Sequence, residues 1–363
     1  MGLLKIHKHA RLSRSPFAAT AARSRCARLA LLSLVLCMGP GVAMATPGAT
    51  GSPSPAALEA DIRSFSQAAH GDVGVAAWRL DGHGPRVLVN ATEPFPMAST
   101  FKVAVAGAFL SRVDAGERSL TQMVTMDPAR FVPSEVIADR FIHAGVALSA
   151  HNLLELMLTQ SDNTATDAVV ELAGGPAAVT DWLRRQGISG QRVDRDTAGI
   201  IREFFGLPAG NLGELLGLAA SKDADFDKRD SLPNPAFDND ARDTSTPVAM
   251  AELLTRLFNG QALTPGSTGV LTATMERCRT GSARLRGLLP ASAVVAHKTG
   301  TIGGTVNDVG VITLPGDAGR IVIAVYIKKS TAPMEVRERT IAEIARSVRD
   351  FYLYAAAASP QTK

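Results

Sequence analysis

Apolar and polar residues follow two periods along this chain, and the period changes twice. Leu58, Ile62 and Phe65 recur at helical spacing and predict a helix over 56–69. Val73–Leu80 and Arg86–Val89 are short apolar runs around Asp81-Gly82-His83-Gly84, the pattern of a β-hairpin. From Thr100 to Ala115 almost every position is apolar or small, which predicts a buried helix stopped at Gly116. Helical spacing then persists through 149–159, 164–172, 177–186, 247–258 and 265–278. Strand patterns return at Ala293–His297, Val306–Thr313 and Arg320–Ile327, before a closing helix over 334–356.

Strands therefore lie near both ends and helices fill the middle. That order predicts an α/β (α+β) fold: an antiparallel sheet flanked by helices, built from both chain ends, with an all-helical subdomain inserted. The expected boundaries are 57–97 plus 281–357 for the sheet layer and 98–280 for the helices. Residues 46–56 (TPGATGSPSPA) and 358–363 are expected to be tails. No internal repeat or phosphate-binding glycine motif is seen.

Composition changes this picture at one place. Of the 363 residues, 38 are Lys or Arg and 34 are Asp or Glu, a net charge of +4. Such a charge suggests a nucleic-acid or membrane-surface partner. Yet seven of those cations (Lys5, Lys8, Arg11, Arg14, Arg23, Arg25, Arg28) lie in residues 1–45, which hold no acid. Without them 31 basic and 34 acidic residues remain, a balance of −3. The basic stretch precedes the apolar run Leu29–Met38, Gly39-Pro40-Gly41 and a small-x-small site at Ala43-Met44-Ala45. This is the pattern of a secretory signal, with an apolar run short of the ~20 residues that span a bilayer. The expectation is an exported protein, periplasmic or secreted, with no stable membrane association after cleavage, no nucleic-acid partner and a monomeric state.

Cys26 and Cys37 would leave with that signal, so Cys278 is expected to stand alone, without a disulfide. His70, His83, His143, His151 and His297 show no metal-ligand spacing. Asp223-x-Asp225-x-Asp227-x-x-Asp230 lacks the glycine and distal glutamate of a calcium loop and is expected to be a solvated acidic turn. No metal or cofactor is expected.

Three short motifs remain, in order: Ser99-Thr100-Phe101-Lys102, Ser161-Asp162-Asn163 and Lys298-Thr299-Gly300-Thr301. The first sits at a strand-to-helix junction, the second between two helices and the third at a strand end. On a helix Ser99 and Lys102 are i,i+3 neighbours. A hydroxyl needs a nearby base to become a nucleophile, and a desolvated lysine beside a second cation such as Lys298 can be that base. Lys102 interrupts an apolar stretch, which argues against a solvated charge. A helix N-terminus near Ser99 can offer a backbone N–H to an oxyanion, and Thr301 is placed for a second donor.

The ordered motifs resemble those of class A β-lactamases. The resemblance extends over nearly all of 57–356, through Val113-Asp114-Ala115-Gly116, Gly174-Gly175-Pro176 and the segment Asp240–Pro247. It implies the serine β-lactamase fold and an acyl-enzyme on Ser99 formed from a β-lactam or a related amide or ester. It also implies that Lys102 belongs to the base network, that Ser161 relays a proton and that Asn163 binds the substrate's side-chain amide. Lys298, Thr299 and Thr301 would hold the substrate carboxylate. Thr280-Gly281-Ser282-Ala283-Arg284 is similar to the family segment that supplies a carboxylate-binding arginine, which adds Thr280 and Arg284 to the expected binding residues.

One departure matters. The family's loop glutamate, two residues after an arginine, activates the hydrolytic water. Aligned without a gap, Thr197 stands there, and threonine is no general base near neutral pH. Three readings stay open: Asp196 serves by a register shift, Glu203 substitutes, or this route of deacylation is lost or the substrate differs. Arg195 and Asp243 match the family's ion pair at the loop neck. They are 48 positions apart, which makes 195–243 an expanded Ω-type loop with two helix-like apolar stretches, 200–205 and 212–220.

Overall fold

The computed structural model describes residues 54–358, except Glu135 and Ile142. The expected signal at 1–45, most of the 46–56 tail and residues 359–363 lie outside the described residues.

Five strands form the main sheet: β1 (Asp72–Arg79), β2 (Val87–Val89), β3 (Val295–Ile302), β4 (Thr305–Thr313) and β5 (Arg320–Lys328). Their order is β2-β1-β5-β4-β3, with every pairing antiparallel. β1 runs against the whole of β5, from Asp72 opposite Lys328 to Arg79 opposite Ile321, so the two ends of the chain meet in one sheet.

Ten longer helices surround it: α1 (Pro55–Ser66), α2 (Lys102–Asp114), α3 (Ala150–Thr159), α4 (Asn163–Leu172), α5 (Pro176–Arg185), α6 (Thr197–Phe204), α7 (Leu212–Lys222), α8 (Pro247–Phe258), α9 (Pro265–Glu276) and α10 (Met334–Ala358). Side chains alternate across a strand, so β1 feeds two cores at once. Val75 and Ala77 join Ile62 of α1 and Ile341, Ile344 and Val348 of α10. Ala76 and Trp78 face the other way, into a core with Phe109, Leu153 and Leu254. With both faces covered, the central strands read as continuous apolar runs.

α2 is the axis of the helical half: Lys102 to Leu110 are all buried. Gly107 lets the Trp182 ring lie against the helix, since a Cβ there would stand 2.4 Å from it. Side-chain oxygens of Ser149, Asp162, Asp196, Thr246 and Thr264 cap the starts of α3, α4, α6, α8 and α9. Each satisfies a backbone N–H that has no partner within its helix.

Two expectations are corrected. β3 does not stop at His297 but continues to Ile302, so Lys298-Thr299-Gly300-Thr301 lies inside the strand. The β-branched Thr299 and Thr301 favour extended backbone and pair opposite Asp308 and Val306 of β4. The N-terminal helix begins at Pro55, inside the expected tail.

The expanded loop is packed. Val132, Ile201, Leu212, Leu216 and Phe226 form a small core of their own. Phe204 and Phe237 meet edge-on at 5.3 Å and join the main core. The far end of the insertion reaches the β3–β4 turn, where Gly303 N donates to Asp230 O (3.1 Å) and Arg337 Nη2 to Ser231 O (2.8 Å). Within the acidic stretch, Asp223 pairs with Arg229 and Asp225 with Lys228.

Candidate active site

Ser99 lies in a single 3₁₀ turn, Ala98–Phe101, that leads directly into α2. Ala98 just before it holds φ 44°, a left-handed conformation costly for a residue with a Cβ. Such strain persists only where the surroundings fix it. Here Asn307 of β4 donates to Pro96 O (2.9 Å) and Met97 O (3.0 Å), clamping the turn. Gly300 of β3 completes the clamp. A Cβ there would lie 2.6 Å from Met97 O and 3.1 Å from Ser99 N, so only glycine lets the strand come this close to the serine backbone.

Ser161 is the meeting point of two lysines. It also sits at positive φ (60°), just before α4. Lys102 Nζ lies 3.1 Å from Ser161 Oγ, 2.8 Å from Ser161 O and 3.0 Å from Asn163 Oδ1. Lys298 Nζ donates to the same Ser161 Oγ (3.0 Å) and to Thr299 O (2.9 Å). Both lysines are fully buried. Burial, then the Lys298 charge, holds the Lys102 pKa well below the usual lysine range, against the opposing pull of Asp162 and Asp167. Burial brings Lys298 down to about 8, with Cys278 and Asp308 opposing. Lys102 Nζ thus has three acceptor oxygens within hydrogen-bond distance, Ser161 O, Ser161 Oγ and Asn163 Oδ1, one for each donor an ammonium carries.

A cavity of about 320 Å³ opens beside this cluster. Of the expected residues, Ser99, Ser161, Asn163, Thr280, Arg284, Thr299 and Thr301 line it, while Lys102 and Lys298 lie behind it, held to Ser161. Thr280 and Thr299 join their hydroxyls at 2.6 Å. Arg284 is buried and heavily engaged: to Glu338, to Gly300 O, to Asn307 O and to Thr301 Oγ1 (2.7 Å). Four of its five N–H donors are thus used, and it holds the β3 end of the cavity. Glu338, from the first turns of α10, lines the cavity as its partner. That residue was not foreseen, because nothing in the pattern of a long amphipathic helix distinguishes one surface glutamate. Asn163 likewise has one amide proton on Pro133 O (2.9 Å), leaving the other for a ligand.

The Ω-type loop behaves differently. Its neck pair forms as expected: Arg195 Nε meets Asp243 Oδ2 at 2.6 Å, and Asp243 Oδ1 accepts from Asp194 N and Arg195 N. Glu203 is drawn to the surface by Arg195 and Arg242, which hold its carboxyl below the usual range. Asp196 is not brought to the Ser99 cavity. Its Oδ1 caps α6 on Gly199 N (2.7 Å), and it lines a second cavity with Asp167, Glu171, Arg130 and Pro176. Asp167 accepts from Thr197 N (2.7 Å) and Ala198 N (3.0 Å). Burial and the neighbouring Asp196 charge raise its pKa to about 7, with the two N–H bonds opposing. Among the described residues lining the Ser99 cavity, the one carboxylate is Glu338, already paired with Arg284.

The match with known proteins covers nearly all of the described residues. The family model of the β-lactamase enzyme family matches residues 57–352. The extended-spectrum β-lactamase PER-1 of Pseudomonas aeruginosa is 31% identical over 304 residues, which are 82% of this chain and 87% of that protein. An ancestral (GNCA) class A β-lactamase superposes with a TM-score of 0.67 at 34% identity, covering 81% of this chain and 99% of that one. A β-lactamase from Chitinophaga pinensis gives 0.66 at 28% identity, covering 81% and 98%.

Proposed function

The chain belongs to the β-lactamase enzyme family, and from that premise we propose that it is an exported serine hydrolase that opens β-lactam rings through an acyl-enzyme on Ser99. The observation that carries this reading is the convergence of Lys102 and Lys298 on Ser161 Oγ beside the cavity that Ser99 lines. Lys102, its pKa held down by burial and by the Lys298 charge, takes the Ser99 proton as Oγ bonds to the lactam carbonyl carbon. The proton passes through Ser161 to the ring nitrogen as the C–N bond breaks. Lys298 and the Thr280–Thr299 hydroxyl pair bind the substrate's anionic group, with Arg284 holding Thr301 in place. The close approach of β3 to Ser99 N supports an oxyanion site there.

Deacylation is the slower half. Neither Asp196 nor Glu203 lines the cavity, so the water is left to Lys102, returned to its neutral form. The basic leader pattern supports export. A second reading, a protein that is acylated and stalls, is favoured by the same lack of a loop carboxylate at the cavity.

The experiment is incubation with a chromogenic cephalosporin, following product and intact mass together. The expected result is a burst near one product per protein, a slower steady turnover and a transient adduct on Ser99. A persistent stoichiometric adduct without turnover supports the second reading. Neither product nor adduct overturns both.

A further inference from the structure

The expanded loop reaches the wall of the Ser99 cavity without lining it. Among the described residues, none of 195–243 is part of that wall. The loop packs instead on Gly303-Gly304, the turn from β3 to β4, which begins two residues after Thr301. Gly303 N donates to Asp230 O (3.1 Å). Gly303 holds φ 53°, and a Cβ there would stand 2.7 Å from Leu232 O and 2.7 Å from the Phe204 ring. A Cβ on Gly304 would stand 2.9 Å from Pro233 Cγ. Two successive glycines thus let residues 230–233 lie against the turn, an approach that a side chain would block.

Arg337 of α10 ties the loop and the turn together. It is 3% exposed, and its guanidinium donates to three carbonyls: Gly303 O (3.0 Å) on the turn, Ser231 O (2.8 Å) on the loop and Ala332 O (2.7 Å) before α10. Desolvating a cation is costly, and here carbonyls of the turn and the loop help offset it. The next residue, Glu338, lines the cavity and binds Arg284, which holds Thr301 Oγ1 at 2.7 Å. Adjacent residues of α10 therefore hold the end of β3 at two points. Glu338 reaches Thr301 through Arg284, and Arg337 reaches Gly303 together with the loop.

We propose that residues 230–233 form a strap that, through Gly303 and Arg337, sets the position of Thr301 at the cavity wall, which makes Gly303 and Arg337 positioning residues for the substrate's anionic group. The inference rests on the proposed β-lactam reading for its kinetic part alone. Loosening the strap should weaken binding of the anion and spare the chemistry. Asn307 clamps the serine turn, and Lys102 binds Ser161, through contacts that the strap does not share.

The first test is amide hydrogen exchange of the full chain, which needs no substrate. In Arg337→Gln, peptides covering 298–306 should exchange at least about tenfold faster, while those from β1 and β5 keep their rates. Unchanged exchange over 298–306 overturns the strap. The second test is steady-state kinetics well below Tm, with a β-lactam bearing its free carboxylate and with the methyl ester of the same compound. Arg337→Gln and Gly303→Ala should each raise KM for the carboxylate about tenfold with kcat within about twofold, and leave KM for the ester unchanged. Leu216→Ala, in the loop's own core, is the control for stability alone. It should lower Tm and leave both KM values as they were. An unchanged KM in both strap variants, a rise common to carboxylate and ester, or a rise shared by Leu216→Ala overturns the positioning role. Gly303→Ala carries both readings if Arg337→Gln does not fold. If no β-lactam is turned over at all, the functional reading fails while the exchange still decides the strap.

Discussion

The walls around Ser99 and the Ω-type loop are built from the same materials, buried charges and strained backbone, yet they are finished to different degrees. Around Ser99 the three cations each reach a hydroxyl of the site: Lys102 and Lys298 on Ser161 Oγ, Arg284 on Thr301 Oγ1. In the loop the charges end on one another. Arg195, Arg242, Glu203, Asp240 and Asp243 form a closed network, and at the N-terminus of α6 Asp167 spends both carboxylate oxygens and Asp196 one. The cap holds Asp196 at the start of α6, where it lines the second cavity and not that of Ser99. The loop has thus been made into structure, and under the proposed mechanism that is why acylation should outpace deacylation.

The largest effect expected from breaking this contrast comes from the loop neck. Asp243 is 3% exposed, and Arg195 is its ion-pair partner. Arg195→Ala removes the ion-pair partner of a buried carboxylate that keeps only its two backbone N–H bonds, a loss of up to about 3–5 kcal/mol. Thermal unfolding should show a fall of several degrees in Tm. Below that temperature the acylation burst should persist, because no atom of Arg195 reaches the Ser99 cavity. A lost burst with the fold intact would show that loop and serine wall act as one unit.

The next largest comes from the other wall. Gly300→Ala places a methyl 2.6 Å from Met97 O and 3.1 Å from Ser99 N. The strand must then draw back from the serine turn, and the proposed oxyanion site loses its geometry. The burst rate of the folded protein should fall about 10²-fold, the scale of losing one oxyanion donor, with a lower Tm beside it because the atoms that must give are backbone. A change in Tm alone, at full burst rate, would mean that Gly300 serves packing and not the site.

The same two regions explain what the sequence made legible. The alternating strands, the helices of the middle and the three motifs are local signals, and the structure shows the first two within a few residues and brings the third together. Ser99, Ser161 and Lys298 are recognisable because their neighbours are unusual for their elements: a lysine in an apolar run, a serine between helices, a glycine in a strand. Glu338 and Asp167 were not legible, because a glutamate and an aspartate on amphipathic helices look like solvated face residues until the partner, Arg284 or the α6 N-terminus, is in place. The fate of Asp196 was hidden for a related reason. Asp-Thr-Ala-Gly reads equally as a catalytic carboxylate one residue out of register and as an N-cap. Only the hydrogen bond to Gly199 N separates them.

Asp196→Asn tests that assignment with the smallest change. Asparagine caps helices as well as aspartate does, so α6 should keep its start. Removing the negative charge relieves Asp167, whose pKa is raised to about 7 by burial and then by Asp196. The sign follows from the raised value. An acid whose folded pKa lies above its unfolded value of about 3.9 contributes fully below that unfolded value and loses the contribution as pH rises through about 7. Asp196→Asn lowers the folded pKa of Asp167, so less is lost. The variant should gain on the order of 1 kcal/mol over the original at pH 8 and nothing at pH 4, measured by denaturant unfolding at both. Its acyl-enzyme should decay at the original rate. A decay slowed more than about tenfold would instead make Asp196 the base for water, because removing a general base costs at least about 10²-fold. The loop would then be a working wall of the site, and the contrast between the two regions would fail.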